Sequence, residues 1–419
     1  MIRALYSLAL RLAQPLLRRK LARRAVAEPG YALAVEERFG RYSLPRDAGG
    51  RLWIHAVSLG ETRAAAILLA ELRRQRPGLR LLLTHGTATG RAEGEKLLQP
   101  GDLQVWQPWD TPEAVRRFLD HFRPAVGVLM ETEVWPNLVA ACRQRGLPLM
   151  LANARLNARS LAGAQRLAPL SGPAYAALAA VWAQTEADAQ RLRLLGAPLA
   201  GVFGNLKFDA TPDAGQLAQG RAWRARGQRP VVMFASSREG EEALFLEQFR
   251  AAGQSVQLLI VPRHPQRFDE VAQLVAQQGL SLARRSAWGE SPAEADVWLG
   301  DSLGEMALYY GLAELALLGG SFAPLGGQNL IEAAACGCPV IMGPHTFNFA
   351  EAAELARSAG AAWQVADMAA AREAALALLG DAPRHQAAQA AATAFAAAHR
   401  GAAAKTAQAL LALLDQAAA

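Results

Sequence analysis

Short apolar runs rich in Val, Leu and Ile alternate with helical patterns of about 10 to 15 residues from Arg51 onward. This rhythm predicts βαβ units and a parallel sheet. In the first half the runs predict strands near residues 52–57, 80–84, 103–107, 125–130, 148–152, 180–184 and 199–203. In the second half they predict strands near residues 230–235, 257–262, 297–299, 315–319 and 339–342.

The strand pattern breaks once, between Asn205 and Gly227, where Pro212 and several glycines replace the apolar runs. We therefore expect two Rossmann-like domains, at residues 31–208 and 228–419, joined by a linker over residues 209–227. The Ala-rich region from about residue 366 to the end is predicted to be helical. We expect its C-terminal helices to pack back across the domain boundary.

The first 26 residues carry a separate pattern. With about 100° of rotation per residue, a helix here has a basic polar face within an arc of about 80° and an apolar face opposite. The polar face holds Arg3, Ser7, Arg11, Gln14 and Arg18, and the apolar face holds Leu5, Leu8, Ala9, Leu12 and Leu16. Such a helix is suited to an anionic headgroup layer, so residues 1–30 are predicted to be a membrane-associating segment. Packing on its own domain and a spanning anchor are the alternatives.

The formal charge of +7 belongs to this segment. Seven basic residues precede the first acidic residue, Glu28, and the remaining basic residues equal the 37 acidic ones in number. The balance elsewhere argues against a nucleic-acid partner. The three cysteines, Cys142, Cys336 and Cys338, lack the number and spacing of a disulfide framework or a zinc site, so a reducing cytoplasm is expected.

Polar and Gly-rich segments follow the predicted strands in both halves. In open α/β sheets, ligands bind beyond the carboxyl ends of the strands, so a cleft between two facing domains is the expected site. Among these segments are Ser58 to Glu61, Glu131 to Asn137, Asn153 with Arg155, Gly204 to Lys207, Ser236 to Arg238, Pro262 to Pro265, and Gly326 to Glu332. The last one opens a predicted helix, whose start binds phosphate well, although such turns are often purely structural. No dinucleotide fingerprint and no Walker motif is present.

Five motifs together resemble the 3-deoxy-D-manno-octulosonic acid (Kdo) transferases of Gram-negative bacteria. They span almost the whole chain in order: His55-Ala56-Val57-Ser58-Leu59-Gly60-Glu61, Glu131-Thr132-Glu133-Val134-Trp135-Pro136-Asn137, Gly204-Asn205-Leu206-Lys207-Phe208-Asp209, Pro262-Arg263-His264-Pro265 and Asn329-Leu330-Ile331-Glu332. The resemblance implies a GT-B fold and an inverting transfer of Kdo from CMP-Kdo to the lipid A precursor. It also implies a location on the cytoplasmic face of the bacterial inner membrane, and no cofactor.

The resemblance also assigns roles within this sequence. It implies that Glu61 accepts the proton and that Glu131 and Lys207 assist the transition state. The first domain then binds the acceptor and the second binds the nucleotide sugar. CMP contacts are expected at Pro262, Arg263, Gly304, Glu305, Met306, Asn329, Leu330, Ile331 and Glu332, with Ser236 and Ser237 beside them.

Each role has a plainer alternative. Glu61 also fits an acid favoured by a helix N-terminus, and Lys207 or Arg263 could form an ordinary ion pair. Glu131 and Glu133 raise the question of a metal, but no histidine stands at ligand spacing, so we expect none. Three other functions remain open: a GT-B transferase that uses a UDP-sugar on a lipid acceptor, a nucleotide-sugar epimerase of the same fold, and a non-catalytic lipid-binding protein.

Overall fold

The computed structural model describes residues 2–250 and 255–418, which fold as two compact units. The first unit runs to Asp209 and takes up the chain again from Arg400. The second unit covers Ala210–His399. The last helix of the chain therefore belongs to the first unit.

The first unit is built on a seven-stranded parallel sheet of order β3-β2-β1-β4-β5-β6-β7. The strands are β1 Leu52–His55, β2 Leu81–His85, β3 Leu103–Trp106, β4 Val126–Met130, β5 Leu149–Ala154, β6 Ala180–Ala183 and β7 Leu199–Val202. The strand order reverses between β1 and β4. Ligands bind at such a switch point in doubly wound folds, so the carboxyl ends of these two strands mark the first candidate site.

Helices cover both faces of the first sheet. They are α1 Ile2–Leu12, α2 Gln14–Ala27, α3 Leu59–Gln75, α4 Ala88–Glu95, α5 Pro112–Phe122, α6 Pro136–Gln144, α7 Ala158–Arg166, α8 Ala168–Ala176, α9 Glu186–Leu194 and, from the end of the chain, α18 Ala402–Ala418. One apolar cluster joins α3 and α18 to one face of the sheet, and it includes Leu68, Leu410 and Leu414. A second cluster fills the opposite face under α5 and α6.

The second unit repeats this architecture with a parallel sheet of order β10-β11-β9-β8-β12-β13-β14. Its strands are β8 Val231–Ser237, β9 Gln257–Pro262, β10 Leu282–Arg284, β11 Val297–Leu299, β12 Leu315–Leu318, β13 Val340–Met342 and β14 Ala362–Gln364. Its helices are α10 Ala214–Arg226, α11 Glu241–Phe249, α12 Phe268–Gln277, α13 Met306–Leu312, α14 Leu330–Ala335, α15 Ala350–Ser358, α16 Met368–Leu379 and α17 Ala382–Ala398. The strand order reverses between β8 and β12, which marks the second candidate site.

The strands predicted from the sequence are all present, and the helical reading of the Ala-rich C-terminal region is confirmed. Two short strands, β10 and β14, were not predicted. Residues 209–227, expected to be a linker, instead contain α10, which packs against α13. Gly220 of α10 and Gly311 of α13 are packing positions: a Cβ on Gly220 would lie 2.2 Å from the carbonyl oxygen of Leu308, and one on Gly311 would lie 2.7 Å from that of Leu217.

The N-terminal helix α1 turns its polar face to the protein and its apolar face outward. Ser7 is buried, and its hydroxyl donates to Asn137 Oδ1 at 3.0 Å. Tyr6 donates to Asp110 at 3.1 Å, and Arg11 forms an ion pair with Glu113. Among the residues described, no helix is both long enough and apolar enough to cross a membrane.

Candidate active site

Glu61 lies in the first turn of α3, directly beyond β1. Ser58 caps this helix by accepting the backbone N–H of Glu61 at 3.4 Å, and the Glu61 carboxylate turns back to accept from the Ser58 hydroxyl at 3.1 Å and from Val57 N–H at 2.9 Å. This reciprocal arrangement is a capping box, so the carboxylate is held at one place on the carboxyl edge of the sheet.

Burial raises the pKa of Glu61 to about 7, even though the hydrogen bonds from Val57 and Ser58 lower it. The negative charges of Glu131 and Glu133 also raise the pKa of Glu61. Burial raises the pKa of Glu133 as well. A carboxyl group that titrates near neutral pH in this way is matched to general-base work.

Glu131 follows β4, the sheet neighbour of β1. It is buried, and its backbone is left-handed with φ +58°, a strained conformation for a residue with a side chain. Arg155, beyond β5, donates from Nε to the Glu131 carboxylate at 2.7 Å. The charge of Glu131 is therefore neutralised by an arginine that is itself half exposed.

Lys207 stands in a short 3₁₀ turn, Leu206–Asp209, which packs against α3 and therefore lies beside the helix that carries Glu61. The turn is fixed through its backbone. Asn153 Oδ1 accepts Leu206 N–H at 3.0 Å, and Asn205 Oδ1 accepts Lys207 N–H at 3.0 Å. The structure thus brings the segments of Glu61, Glu131 and Lys207 to the carboxyl edge of one sheet.

Asn137, the last residue of the Glu131 motif, has a structural role at the start of α6. Its backbone N–H donates to Asp110 Oδ2 at 3.0 Å, and its side-chain amide donates to the Asp110 carbonyl at 2.7 Å. Its side-chain Oδ1 accepts from the hydroxyl of Ser7 of α1. The motif therefore also anchors the N-terminal helix.

In the second unit, Ser236 and Ser237 end β8, and Pro262 ends the adjacent strand β9. Ser236 is left-handed at φ +54°, and Arg263 N–H donates to the Ser237 carbonyl at 3.0 Å. Gly319, after β12, lies so close that a Cβ there would be 2.2 Å from the Ser236 carbonyl oxygen. We call residues 319–323 the β12 turn.

Basic groups gather at this edge of the second sheet. The pKa of His264 is lowered, first by burial and then by the charges of Arg238, Arg263 and Arg267. Arg267 forms an ion pair with Glu242 at 2.9 Å. Arg238 pairs with Glu239 at 3.1 Å, so this edge carries both basic and acidic side chains.

Of the expected contacts, Gly304 and Glu305 lie in the turn before α13, and Met306 is the first residue of that helix. Gly304 is left-handed at φ +80°. The Glu305 carboxylate accepts from Arg285 at 2.8 Å and from the hydroxyl of Ser302. The side chain of Glu305 is therefore already held in place by the protein.

The segment of Asn329 to Glu332 begins α14, and Asn329 caps the helix by accepting Ile331 N–H at 3.1 Å. Leu330 and Ile331 are buried side chains that belong to the core. Among these four residues, only Asn329 and Glu332 therefore offer polar side chains to a ligand.

Arg155 and Asn153 were noticed in the sequence as polar residues after a strand, but no role was predicted for them. Their positions at the end of β5 carried the only signal. All three cysteines are buried. In the described part of the chain, no group of three or more His, Cys, Asp or Glu residues has metal-binding geometry.

A family model and a curated relative agree on the family to which this chain is similar. Residues 34–210 match the sequence profile of a family described as 3-deoxy-D-manno-octulosonic-acid transferase (kdotransferase). A protein of Bordetella pertussis named 3-deoxy-D-manno-octulosonic acid transferase is 49% identical, over 97% of this chain and 98% of its own.

Solved structures show how widely the fold is shared. A glycosyltransferase from Rickettsia africae has a TM-score of 0.57 at 13% identity, over 88% of this chain and 98% of its own. A UDP-GlcNAc 2-epimerase from Neisseria meningitidis has a TM-score of 0.58 at 14% identity, over 86% of this chain and 99% of its own. Because a transferase and an epimerase score alike, the fold alone does not separate these two activities.

Proposed function

Since this chain belongs to the 3-deoxy-D-manno-octulosonic acid (Kdo) transferase family and is a glycosyltransferase of lipopolysaccharide biosynthesis, we propose that CMP-Kdo is its donor and the lipid A precursor its acceptor. The transfer inverts the anomeric carbon. The observation that carries the proposal at the site is Glu61, a fixed carboxyl group with a pKa of about 7 at the switch point of the first sheet.

Glu61 acts as the general base in this proposal. The acceptor hydroxyl attacks the anomeric carbon of Kdo, its proton passes to the Glu61 carboxylate, and the bond to the CMP phosphate breaks. A sugar hydroxyl does not ionise at neutral pH, so its proton must leave as the new bond forms. Glu131, held by Arg155, stabilises the positive charge that develops on the sugar, and Lys207 assists.

The second unit binds the nucleotide in this proposal. We assign the phosphate of CMP to Arg238, Arg263 and Arg267, the basic residues around His264. Asn329 and Glu332 offer polar groups to the ribose hydroxyls, and the turn of Gly304 to Met306 offers backbone groups. The residues expected from the sequence at Pro262, Ser236 and Ser237 line the same edge.

We also propose that the outward face of α1 lies on the anionic membrane that holds the acceptor, at the cytoplasmic face of the inner membrane. Leu5, Leu8 and Leu12 are all exposed, Leu12 by 72%, and Leu16 in the first turn of α2 is exposed as well. Exposed cations of α2, Arg19, Lys20 and Arg23, lie next to them in sequence. The basic residues Arg11 and Arg18 pair instead with Glu113 and Glu36, so the apolar face is the one left for lipid.

One experiment tests the assignment of substrates. The purified protein is mixed with lipid A precursor and either CMP-Kdo or a UDP-sugar, and the products are identified by mass. We expect a Kdo-bearing lipid only in the mixture that contains CMP-Kdo. Transfer from a UDP-sugar, or conversion of a UDP-sugar without any lipid, would contradict the proposed donor.

A further inference from the structure

Glu241 is buried at the start of α11, and its carboxylate accepts four backbone N–H groups from two loops. Oε2 accepts from Arg238 at 3.0 Å and from Gly320 at 2.7 Å. Oε1 accepts from Phe322 at 3.1 Å and from Ala323 at 3.0 Å. One carboxylate therefore ties the loop after β8 to the β12 turn.

The β12 turn in turn supports two further segments. Gly320 accepts from Gly327 N–H at 2.7 Å through its carbonyl, which fixes the stretch that leads into α14. Ser321 accepts from His345 N–H at 3.0 Å through its carbonyl and from Gly343 N–H at 2.8 Å through its hydroxyl. Displacement of the β12 turn would therefore move several loops at this edge of the sheet together.

We propose that Glu241 is a positioning residue for the nucleotide-sugar site. Its carboxylate accepts the backbone N–H groups of the β12 turn and so holds this turn in place. This inference rests on the proposed function, which places the donor at the same edge. It has a consequence for charge: the amides of Gly320, Phe322 and Ala323 are already satisfied, so the donor phosphate is left to the arginine side chains. Glu241 acts on the donor only through the loops it holds.

Substitution of Glu241 by Gln tests the hydrogen bonds between this carboxylate and the backbone N–H groups directly. Glutamine keeps one oxygen and places an NH₂ group where the other oxygen stood. Whichever way the amide is turned, two backbone N–H donors then face another donor and lose their acceptor. The loops are released while the size of the side chain is kept. The control is Asp188→Asn in the first unit, a buried carboxylate that accepts Leu156 N–H at 2.8 Å and the Thr185 hydroxyl at 2.7 Å within that unit.

Three measurements separate positioning from general stability: amide hydrogen exchange, CMP affinity by calorimetry, and the KM and kcat for CMP-Kdo. In Glu241→Gln we expect faster exchange in the β12 turn, and a CMP affinity lower by about tenfold or more. We expect KM to rise by a similar factor and kcat at saturating donor to stay within about threefold of wild type. In Asp188→Asn we expect a lower melting temperature with unchanged CMP affinity.

Unchanged exchange in the β12 turn, or a CMP affinity within about twofold of wild type, would overturn the role of Glu241. An equal loss of CMP affinity in Asp188→Asn would overturn it too, because the effect would then follow stability alone. Failure of the wild-type protein to bind CMP would instead overturn the proposed donor. The exchange measurement needs no nucleotide, so it tests whether Glu241 holds the β12 turn even if the protein does not bind CMP.

Discussion

Arg155 and Glu131 are joined twice, by the ion pair from Arg155 Nε to the Glu131 carboxylate at 2.7 Å and by the backbone hydrogen bond from Arg155 N–H to the Glu131 carbonyl at 3.2 Å. The side-chain pair lies at the edge that carries Glu61. The backbone bond holds the left-handed turn after β4 against the end of β5. The two residues therefore act as one group.

Double substitution should show this coupling. We expect Arg155→Ala and Glu131→Gln each to lower kcat/KM, and the double variant to lose less than the sum of the two losses. The coupling should be about 1 kcal/mol, a modest value because Arg155 is more than half exposed. The control pair is Arg193→Ala with Glu186→Gln on α9, an exposed ion pair whose effects on kcat/KM should be close to zero. Full additivity at Glu131 and Arg155 would show that the two act separately.

Glu61→Gln should abolish turnover while making the protein more stable at alkaline pH. Loss of a general base costs about 10² to 10⁴-fold in rate, and glutamine keeps the shape without the basicity. CMP affinity should be unchanged, since the nucleotide is assigned to the second unit. Near-normal turnover in Glu61→Gln would mean that this residue only positions the acceptor.

The stability gain follows from linkage. The folded pKa of Glu61, about 7, lies above the ordinary value of 4.5, so the folded state binds this proton more tightly than the unfolded state does. The contribution of Glu61 to stability is therefore lost as the pH rises from about 4.5 through about 7. The Gln variant should gain at most about 3 kcal/mol at pH 8 and nothing below pH 4.5. Denaturant unfolding at several pH values checks this.

The pH dependence of transfer should show Glu61 titrating. Because the base must be ionised, kcat/KM should rise with pH up to about 7 and then level off. The charge of Glu133 raises the pKa of Glu61, so Glu133→Gln should move the rising part of the kcat/KM profile to lower pH. Glu373→Gln, at an exposed carboxylate of the second unit, should leave it in place. If the pH profile of kcat/KM in Glu133→Gln stayed where it is in the wild type, this would contradict the electrostatic effect of Glu133 on Glu61.

Membrane binding should depend on the exposed leucines of α1. The double change Leu8→Gln with Leu12→Gln should weaken co-sedimentation with anionic phospholipid vesicles by about tenfold or more, because two apolar side chains lose their contact with lipid. The fold should be unaffected, since both leucines are already exposed. Leu194→Gln, at an equally exposed leucine of α9, should not change binding. Equal loss in both variants would contradict a specific lipid-facing surface on α1.

Gly319 should tolerate no side chain. A Cβ there would meet the Ser236 carbonyl oxygen at 2.2 Å, so Gly319→Ala forces the ends of β8 and β12 apart and should cost about 1 to 3 kcal/mol of stability. Gly60→Ala is the control, because the nearest atom to a Cβ at Gly60 is 3.9 Å away. Chemical denaturation of both variants compares the two sites. Equal stability would show that the two strands can separate at no cost.

The regular parts of this fold follow from the sequence because both sheets are parallel and buried, which turns each central strand into a continuous apolar run. β10 and β14 lacked that signal, as they are short and stand at the sheet edges. The helix α10 was mistaken for a linker because its glycines read as breakers. Nothing local shows that Gly220 faces another helix, since that contact depends on Leu308, about ninety positions away.

The sequence likewise predicted some features of the candidate site and not others. Glu61 and Glu131 were predicted as site residues because they directly follow central strands, and their roles stay predictions. The ion pair with Arg155 was not found, since it joins the ends of two different strands. The orientation of α1 was not predicted: periodicity separates its two faces, but contacts with Asn137, Asp110 and Glu113 decide which of them is turned inward.

The position of α18 has a consequence for how the chain folds during synthesis. Leu410 and Leu414 complete a core that begins at β1, and Asp209 accepts two backbone N–H groups at the start of the same helix. The ribosome makes these residues after the whole of the second unit, so the core of the first unit cannot close until the second unit has been synthesised. An isolated fragment ending at Asp209 would expose that apolar surface. A soluble version of the first unit would need residues 400–419 supplied in some other way, such as a circular permutation that fuses them ahead of the natural start.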